Sequence, residues 1–126
     1  MDALSAAGRS PTSLTLTPED QARVRKLQAV DRAVRAHEQA HLAAAGGLAR
    51  GGASYAYEKG PDGRLYATGG EVHLDTSPVP RDPRASLAKA RQIQAAAAAP
   101  ADPSPQDRAV AGAAARMAAQ ASRELA

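Results

Sequence analysis

Apolar residues recur every three or four positions in the first third of the chain, as they do on one face of a helix. These residues are Val24, Leu27, Val30 and Val34. Thr17 can cap such a helix with its hydroxyl, and Pro18 suits the first helical position because no intrahelical bond is needed there. Gly46 supplies the left-handed conformation that commonly ends a helix. The pattern therefore predicts a long first helix from Pro18 to about Ala45.

Two short runs that are typical of strands follow, and a turn signal separates them. Within residues 60–63, Gly-Pro-Asp-Gly, the proline presets φ and the last glycine accepts a positive φ. We therefore expect an antiparallel hairpin with strands near residues 54–58 and 64–68. The glycine pair at positions 69–70 should then let the backbone bend or bulge.

Two alanine-rich segments near the end of the chain are set apart by prolines. Asp82 can cap a helix that starts at Pro83 and reaches about Ala98, and Ser104 can cap a last helix that runs to the C-terminus. Their alanine faces allow close packing on the first helix or on another copy of the chain in a homo-oligomer. Neither helix shows an obvious chemical group. The predicted fold class is α+β and mainly helical: a long helix, a small β-hairpin or short antiparallel sheet, and two Ala-rich helices.

The composition gives a thin core and restricts its chemistry. The chain has 126 residues, of which 33 are alanine and only 17 are leucine, isoleucine or valine. We predict a flexible N-terminal tail over residues 1–16 and a single domain over residues 17–126, because one domain fits this length. The chain has no cysteine, which excludes disulfides, thiolate metal sites and a cysteine nucleophile. Any metal site must therefore use histidine and carboxylate groups.

Charge and hydropathy narrow the range of partners. The formal net charge is +3, and the basic residues are interleaved with acids instead of forming a stripe, so we expect no nucleic-acid partner. The sequence shows no long apolar run and no signal-peptide pattern, so we expect no membrane partner and a cytoplasmic location.

The strongest chemical signal is the pattern H-E-x-x-H inside the first predicted helix, formed by His37, Glu38 and His41. Histidines four positions apart lie one helical turn apart, so both imidazoles can bind a single metal ion. On a helical projection they continue the apolar stripe, and Glu38 falls beside them, where it can take a proton from metal-bound water. We predict one Zn²⁺ per chain, with His37 and His41 as ligands and Glu38 as the catalytic base. The alternative is a pair of ordinary core histidines.

A catalytic zinc ion needs a third protein ligand, and the segment 71–75 offers three candidates. Glu71, His73 and Asp75 share one face if this segment is extended. Their spacing is similar to the Glu-x-x-x-Asp element of gluzincins such as thermolysin, in which the glutamate binds zinc and the aspartate orients a ligand histidine. We therefore expect Glu71 as the third ligand, with Asp75 as an orienting residue or alternative ligand and His73 as a further alternative. A solvated edge strand is the structural alternative for all three.

The three tyrosines, Tyr55, Tyr57 and Tyr66, all lie on the predicted hairpin. An exposed strand edge can hold an extended peptide, and a phenol can donate a hydrogen bond to the oxyanion of a transition state. We expect the tyrosines to serve as substrate or oxyanion contacts, with ordinary core packing as the alternative.

Several sequence blocks, in order, are similar to those of the SprA-related metalloprotease family over about residues 34–125. The blocks are Ala36–Gly46, Tyr55-x-Tyr57, Gly60–Gly63, Tyr66-Ala67, Gly69–Val72, Asp75 and Ala97–Ser104. The resemblance implies a minimal zincin-like fold and a hydrolase with His37 and His41 as zinc ligands and Glu38 as base. The predicted function is thus a zinc-dependent metallopeptidase that hydrolyses peptide bonds. The alternatives are a catalytically inactive, zinc-stabilised protein-binding module and a basic adaptor.

Overall fold

A computed structural model describes residues 16–126, and its elements follow the predicted order of a long helix, a hairpin and two further helices. The elements are α1 (Pro18–Ala45), a 3₁₀ turn (Gly46–Leu48), β1 (Ser54–Lys59), β2 (Leu65–Glu71), α2 (Pro83–Ala97) and α3 (Pro105–Leu125). Strands β1 and β2 form a two-stranded antiparallel sheet. The predicted α+β, mainly helical fold is therefore confirmed. Of the predicted tail, residues 1–15 lie outside the described residues.

Both ends of α1 are formed by the residues that the sequence marks. The Thr17 hydroxyl oxygen accepts a hydrogen bond from the N–H of Asp20 at 3.0 Å, and the N–H of Thr17 donates to the Asp20 carboxylate at 3.2 Å. This reciprocal pair satisfies two donors at the start of the helix. At the other end, Gly46 has a φ of +55° and the chain passes into the 3₁₀ turn. The predicted boundaries of α1 are therefore confirmed.

The hairpin turns at residues 60–63, as predicted. Gly63 has a φ of +81°, and the N–H of Gly60 donates to the carbonyl of Arg64 at 2.8 Å. A Cβ atom at position 60 would lie 2.7 Å from the Asp62 carboxylate and 2.8 Å from the Tyr66 ring. The turn is therefore packed too closely to accept a side chain at Gly60.

Strand β2 corrects a detail of the prediction. It continues through Gly69 and Gly70 to Glu71, whereas we expected the strand to end near residue 68. Glycine keeps its N–H and C=O groups, so it can extend a hydrogen-bonded ladder although it adds no side-chain packing. Beyond the strand, the predicted extended segment appears as an isolated antiparallel bridge between Leu74 and Ala49.

The two late helices begin at the predicted caps and pack against each other. The Asp82 carboxylate accepts from the N–H of Ala85 at 3.0 Å, and the Ser104 hydroxyl accepts from the N–H of Asp107 at 3.0 Å. Their buried residues are mostly small, and they include Ala90, Ile93, Ala97, Ala114 and Ala121. Alanine lets helix axes approach closely, so these faces serve packing within the chain. Homo-oligomer formation stays a prediction.

The described chain divides into two compact units. The first unit comprises residues 16–34 and 55–69, and the second unit comprises residues 35–54 and 70–126. Each unit has one large, fully buried side chain, Leu27 in the first and Ile93 in the second. The organisation as a single domain stays a prediction. None of the helices in the described part of the chain is long and apolar enough to cross a membrane.

Candidate metal centre

The side chains of the H-E-x-x-H pattern come together in the second unit. The rings of His37 and His41 meet edge to face with their centroids 4.9 Å apart, and their Nε2 atoms are 3.3 Å apart. Glu38 offers a carboxylate oxygen, and the three candidate ligand atoms all lie within 4.8 Å of one another. The structure thus brings together the three residues that the sequence predicted for the centre.

Each imidazole has a partner at its other ring nitrogen. Nδ1 of His41 donates to the backbone carbonyl of Ala96 at 2.7 Å, and Nδ1 of His37 lies 3.3 Å from a carboxylate oxygen of Asp102. A carbonyl oxygen can only accept, so neutral His41 carries its proton on Nδ1 and its lone pair on Nε2. Partners of this kind orient metal-binding histidines and set their tautomer. The Nε2 atoms are therefore the nitrogens available to a metal ion.

Asp107, in the first turn of α3, contacts both of these Nε2 atoms. Its Oδ2 is 2.9 Å from Nε2 of His37, and its Oδ1 is 3.0 Å from Nε2 of His41. The sequence showed no obvious chemical group on the last helix, but the structure places this carboxylate against both histidines. Asp107 lies 70 positions after His37, so helical spacing could not connect them. The one sequence signal, the capping box with Ser104, indicates a helix start and not a metal site.

A small cavity of about 50 Å³, which we call the histidine cleft, is lined in part by His37, His41, Glu71 and Asp107. A larger cavity of about 400 Å³ in the same unit is lined mainly by residues 76–83 and by α3, and its lining contains no histidine. The smaller cavity is the candidate site despite its volume, because side chains that can bind a metal ion line it.

Of the three residues predicted as candidates for the third ligand, Glu71 is the one that lines the histidine cleft. Its carboxylate accepts from Nε2 of Gln106 at 3.3 Å and lies 3.2 Å from Nε2 of His73. The side chain of His73 is 60% exposed. The structure thus brings Glu71 into the cleft and pairs it with His73, whose ring is largely in solvent.

Asp75 forms ion pairs with two basic side chains. Its carboxylate lies 3.1 Å from Arg50 and 3.0 Å from Lys89. Hydrogen bonds from Ser77, together with Lys89, hold the pKa of Asp75 far below its usual range. Asp75 is not one of the described residues that line the histidine cleft. Its observed contacts therefore anchor the connector after β2, and a role in orienting a ligand stays a prediction.

The three tyrosines belong to the first unit. Tyr66 is buried and its hydroxyl donates to the Asp62 carboxylate, which raises the pKa of Tyr66. The rings of Tyr55 and Tyr57 are 6.3 Å apart, and Tyr57 is 52% exposed. Tyr66 thus takes part in core packing, and the predicted substrate and oxyanion roles of the three tyrosines stay predictions.

The sequence comparison identifies a family. The model of the SprA-related family matches residues 14–126. The chain belongs to the SprA-related family. This confirms the family assigned from the sequence blocks, whereas the metalloprotease activity stays a prediction. The matched region takes in every residue of the histidine cleft. No curated protein and no solved structure matches the chain.

Burial and hydrogen bonding set the protonation behaviour of the centre in this SprA-related protein. Burial raises the pKa of Glu38, and the neighbouring imidazoles only partly offset the change. Burial lowers the pKa of His37, but hydrogen bonds with Asp107 and Asp102 outweigh it and the pKa is raised. Burial would raise the pKa of Asp107, but the bond from the N–H of Ser104 and the contact with His37 leave it lowered. The centre therefore contains two different carboxyl groups. Glu38 binds a proton more readily than usual, whereas Asp107 stays ionised.

The donor set of the SprA-related protein fits zinc. Ligand atoms about 2.0–2.1 Å from a tetrahedral zinc ion lie roughly 3.3–3.4 Å apart. The Nε2 atoms of His37 and His41 are 3.3 Å apart, and the contacts of Asp107 with them, 2.9 and 3.0 Å, are slightly shorter. Imidazole and carboxylate are ligands that zinc accepts, and the cysteine-free chain offers both in this cleft.

Proposed function

We propose that this SprA-related protein is a zinc-dependent metallopeptidase that acts on a peptide or protein substrate. The observation that carries the proposal is the 3.3 Å approach of Nε2 of His37 to Nε2 of His41, with buried Glu38 beside them. His37 and His41 would hold one Zn²⁺ per chain. A catalytic site also needs a third protein donor, for which the sequence nominated Glu71 in the same cleft.

In the proposed mechanism the zinc ion supplies Lewis-acid activation of a water molecule and of the substrate carbonyl. Glu38 takes a proton from the attacking water and delivers it to the leaving amine. Burial suits Glu38 to this task, because a raised pKa brings a carboxyl group closer to the operating pH. The carbonyl of Ala96 holds His41 through Nδ1, so the ring keeps its position while the substrate reacts.

Substrate contacts are proposed for the exposed part of the hairpin. Tyr57 on β1 is half exposed and can pack against a peptide, and an unpaired strand edge can bind extended chain. The hydroxyl of Tyr66 already donates to Asp62, so Tyr66 would have to give up that bond before it could serve an oxyanion. Tyr57 therefore has a stronger claim than Tyr66 to a substrate role.

A second candidate function is a zinc-stabilised protein-binding module without turnover. The observation that favours it is the core: many of its buried side chains are alanines, and Leu27 and Ile93 are its largest fully buried residues. Alanines bury little apolar surface, and a bound metal can supply folding free energy to such a domain. In this case Glu38 would be a buried carboxylate beside the metal and not a base.

The two functions differ in the effect of Glu38→Gln. The variant should keep one zinc per chain, and under the peptidase proposal it should cleave an unfolded protein substrate about 10²–10⁴-fold more slowly than the wild type. Gln39→Ala, an exposed change on the next residue, is the matched control and should keep full activity. Zinc-loaded wild type without cleavage would favour the binding module. Cleavage that survives both Glu38→Gln and a chelator would contradict the peptidase proposal.

A further inference from the structure

We propose that Asp107 is the third protein ligand of the metal ion in the histidine cleft. The inference rests on the metal binding in the proposed function and replaces Glu71, the third ligand expected from the sequence. It assigns to α3 a direct part in the centre, next to the two histidines of α1.

The first argument is that two acceptors, Nε2 of neutral His41 and Oδ1 of Asp107, face each other in the cleft. Because Nδ1 of His41 donates to Ala96, Nε2 of neutral His41 presents a lone pair to Oδ1 of Asp107 at 3.0 Å. Nε2 of His37 lies 3.3 Å from the same nitrogen and 2.9 Å from Oδ2 of Asp107. Two nitrogens this close cannot both point hydrogens at one another. A proton on Nε2 of His37 serves its contact with Asp107, but Nε2 of neutral His41 and Oδ1 of Asp107 repel each other, and a cation between these two atoms makes their approach favourable.

The second argument is that Asp107 is held in place before any ligand arrives. Its Oδ2 accepts from the backbone N–H of Ser104 at 2.8 Å, within the capping box of α3. Its side chain is only 16% exposed. The carboxylate therefore needs little reordering to bind an ion, which favours affinity.

The third argument is that every proposed ligand has an outer partner. The carbonyl of Ala96 accepts from His41, and the carboxylate of Asp102 lies against His37. The backbone N–H of Ser104 donates to Asp107. Metal ligands in proteins are generally supported in this way. The support is complete for the set of two histidines and Asp107.

Glu71 is less well placed for the third position. Its side chain is 43% exposed, and its two oxygens are engaged by Gln106 and by His73. Gln106 immediately precedes Asp107, so α3 approaches the cleft with one residue bonded to Glu71 and the next in contact with both histidines. This arrangement leaves Glu71 beside the centre and Asp107 in it.

The first part of the experiment measures zinc affinity by competition with a chromophoric chelator. Asp107→Asn should weaken zinc binding by about 100-fold or more, because it removes a charged ligand, whereas Glu71→Gln should stay within about threefold of the wild type. Ser104→Ala is the matched control, because it disturbs the same capping box but keeps the Asp107 carboxylate and the backbone N–H that supports it. Undiminished affinity in Asp107→Asn would overturn the proposal.

The second part gives a positive signal for the ligand position. Because the chain has no cysteine, a thiolate-to-Co²⁺ charge-transfer band in Asp107→Cys can come only from position 107. Glu71→Cys is the matched variant and should lack the band. A band in Glu71→Cys and none in Asp107→Cys would overturn the proposal and restore Glu71 as the ligand.

The outcomes separate this inference from the proposed function. A wild type that binds neither zinc nor cobalt overturns both. A zinc-binding wild type with an unaffected Asp107→Asn variant overturns only the role of Asp107. Weak zinc binding in Asp107→Asn, combined with no cleavage by the zinc-loaded wild type, supports Asp107 as a ligand and contradicts the peptidase.

Discussion

Asp62 in the hairpin turn and Asp107 in the histidine cleft are both poorly exposed aspartates with opposite surroundings. Asp62 receives hydrogen bonds from the Tyr66 hydroxyl and from the N–H of Arg64, so donors surround its carboxylate. Asp107 accepts from the backbone N–H of Ser104 and hydrogen-bonds with Nε2 of His37, but its Oδ1 faces the lone pair on Nε2 of neutral His41. Donors surround one carboxylate, whereas the other keeps one oxygen against an acceptor.

This difference separates a structural site from a binding site. A carboxylate among donors stabilises the folded chain without any ligand, as the lowered pKa of Asp62 indicates. A carboxylate among acceptors is favourable only with a proton or a metal ion between the groups. The first unit should therefore be complete in the isolated chain, whereas the second unit should gain stability from zinc. The predictions below test that contrast.

The largest effects should come from the buried side chains of the two units. Leu27→Ala and Ile93→Ala should each lower the free energy of unfolding by about 2–5 kcal/mol, through lost burial and a residual cavity. Only Ile93→Ala should also weaken zinc binding, because Ile93 lies one helical turn before Ala96, whose carbonyl holds His41. Denaturant titration measures the free energy of unfolding, and competition with a chelator measures the zinc affinity. Equal loss of zinc affinity in Leu27→Ala would contradict the separation of the units.

Zinc itself should add stability through the second unit. At a free zinc concentration 100 times Kd, the free energy of unfolding should rise by about 2.7 kcal/mol over the metal-free protein. Asp62→Asn should be less stable without zinc but should gain the same free energy of unfolding when zinc binds, whereas His41→Ala should gain almost none. Thermal unfolding with and without a chelator measures this gain. A zinc increment that disappears in Asp62→Asn would show that the hairpin turn contributes to the metal site.

The helix caps should give smaller effects. Thr17→Ala and Ser104→Ala should each cost about 1 kcal/mol in the metal-free protein, because each leaves a backbone N–H of the first helical turn without its partner. A variant that keeps its zinc affinity loses the same free energy of unfolding with and without zinc, so neither cost should change in the zinc-loaded protein. A cost of Ser104→Ala that differs between the two forms would show that the cap itself contributes to zinc binding.

The smallest effect should be a pH dependence of the bond between Tyr66 and Asp62. Its contribution should be present above the unfolded pKa of Asp, about 3.9, and should be lost as the pH falls through the lowered pKa of folded Asp62. Because the pKa of Tyr66 is raised, its contribution should be present below about 10 and lost as the pH rises through the raised value. The difference in melting temperature between the wild type and Tyr66→Phe should therefore be largest near neutrality.

The control for this pH profile is Tyr57→Phe, whose ring is half exposed. It should show a small difference from the wild type that does not vary across the acidic range. A Tyr66→Phe difference that persists undiminished in strong acid would mean that the bond to Asp62 is not its source.

The sequence by itself determined the elements of this protein and the core of its centre. Caps such as Thr17 and Ser104, the turn at residues 60–63 and the spacing of His37 and His41 act over a few residues, so a one-dimensional pattern records them. The same locality explains why the predicted strand ended too early, near residue 68, because the partner strand and not local freedom decides whether glycine extends a ladder.

Only the tertiary structure decided which carboxylate meets the histidines. Asp107 reaches His37 across 70 positions, and Asp75 is drawn instead to Arg50 and Lys89. Spacing favoured the segment 71–75 because it resembled a known element, but a spacing rule carries no information on how separate elements pack. That depends on the docking of α3 and α2 through small side chains, and it is this docking that turns a helix cap into a candidate metal ligand.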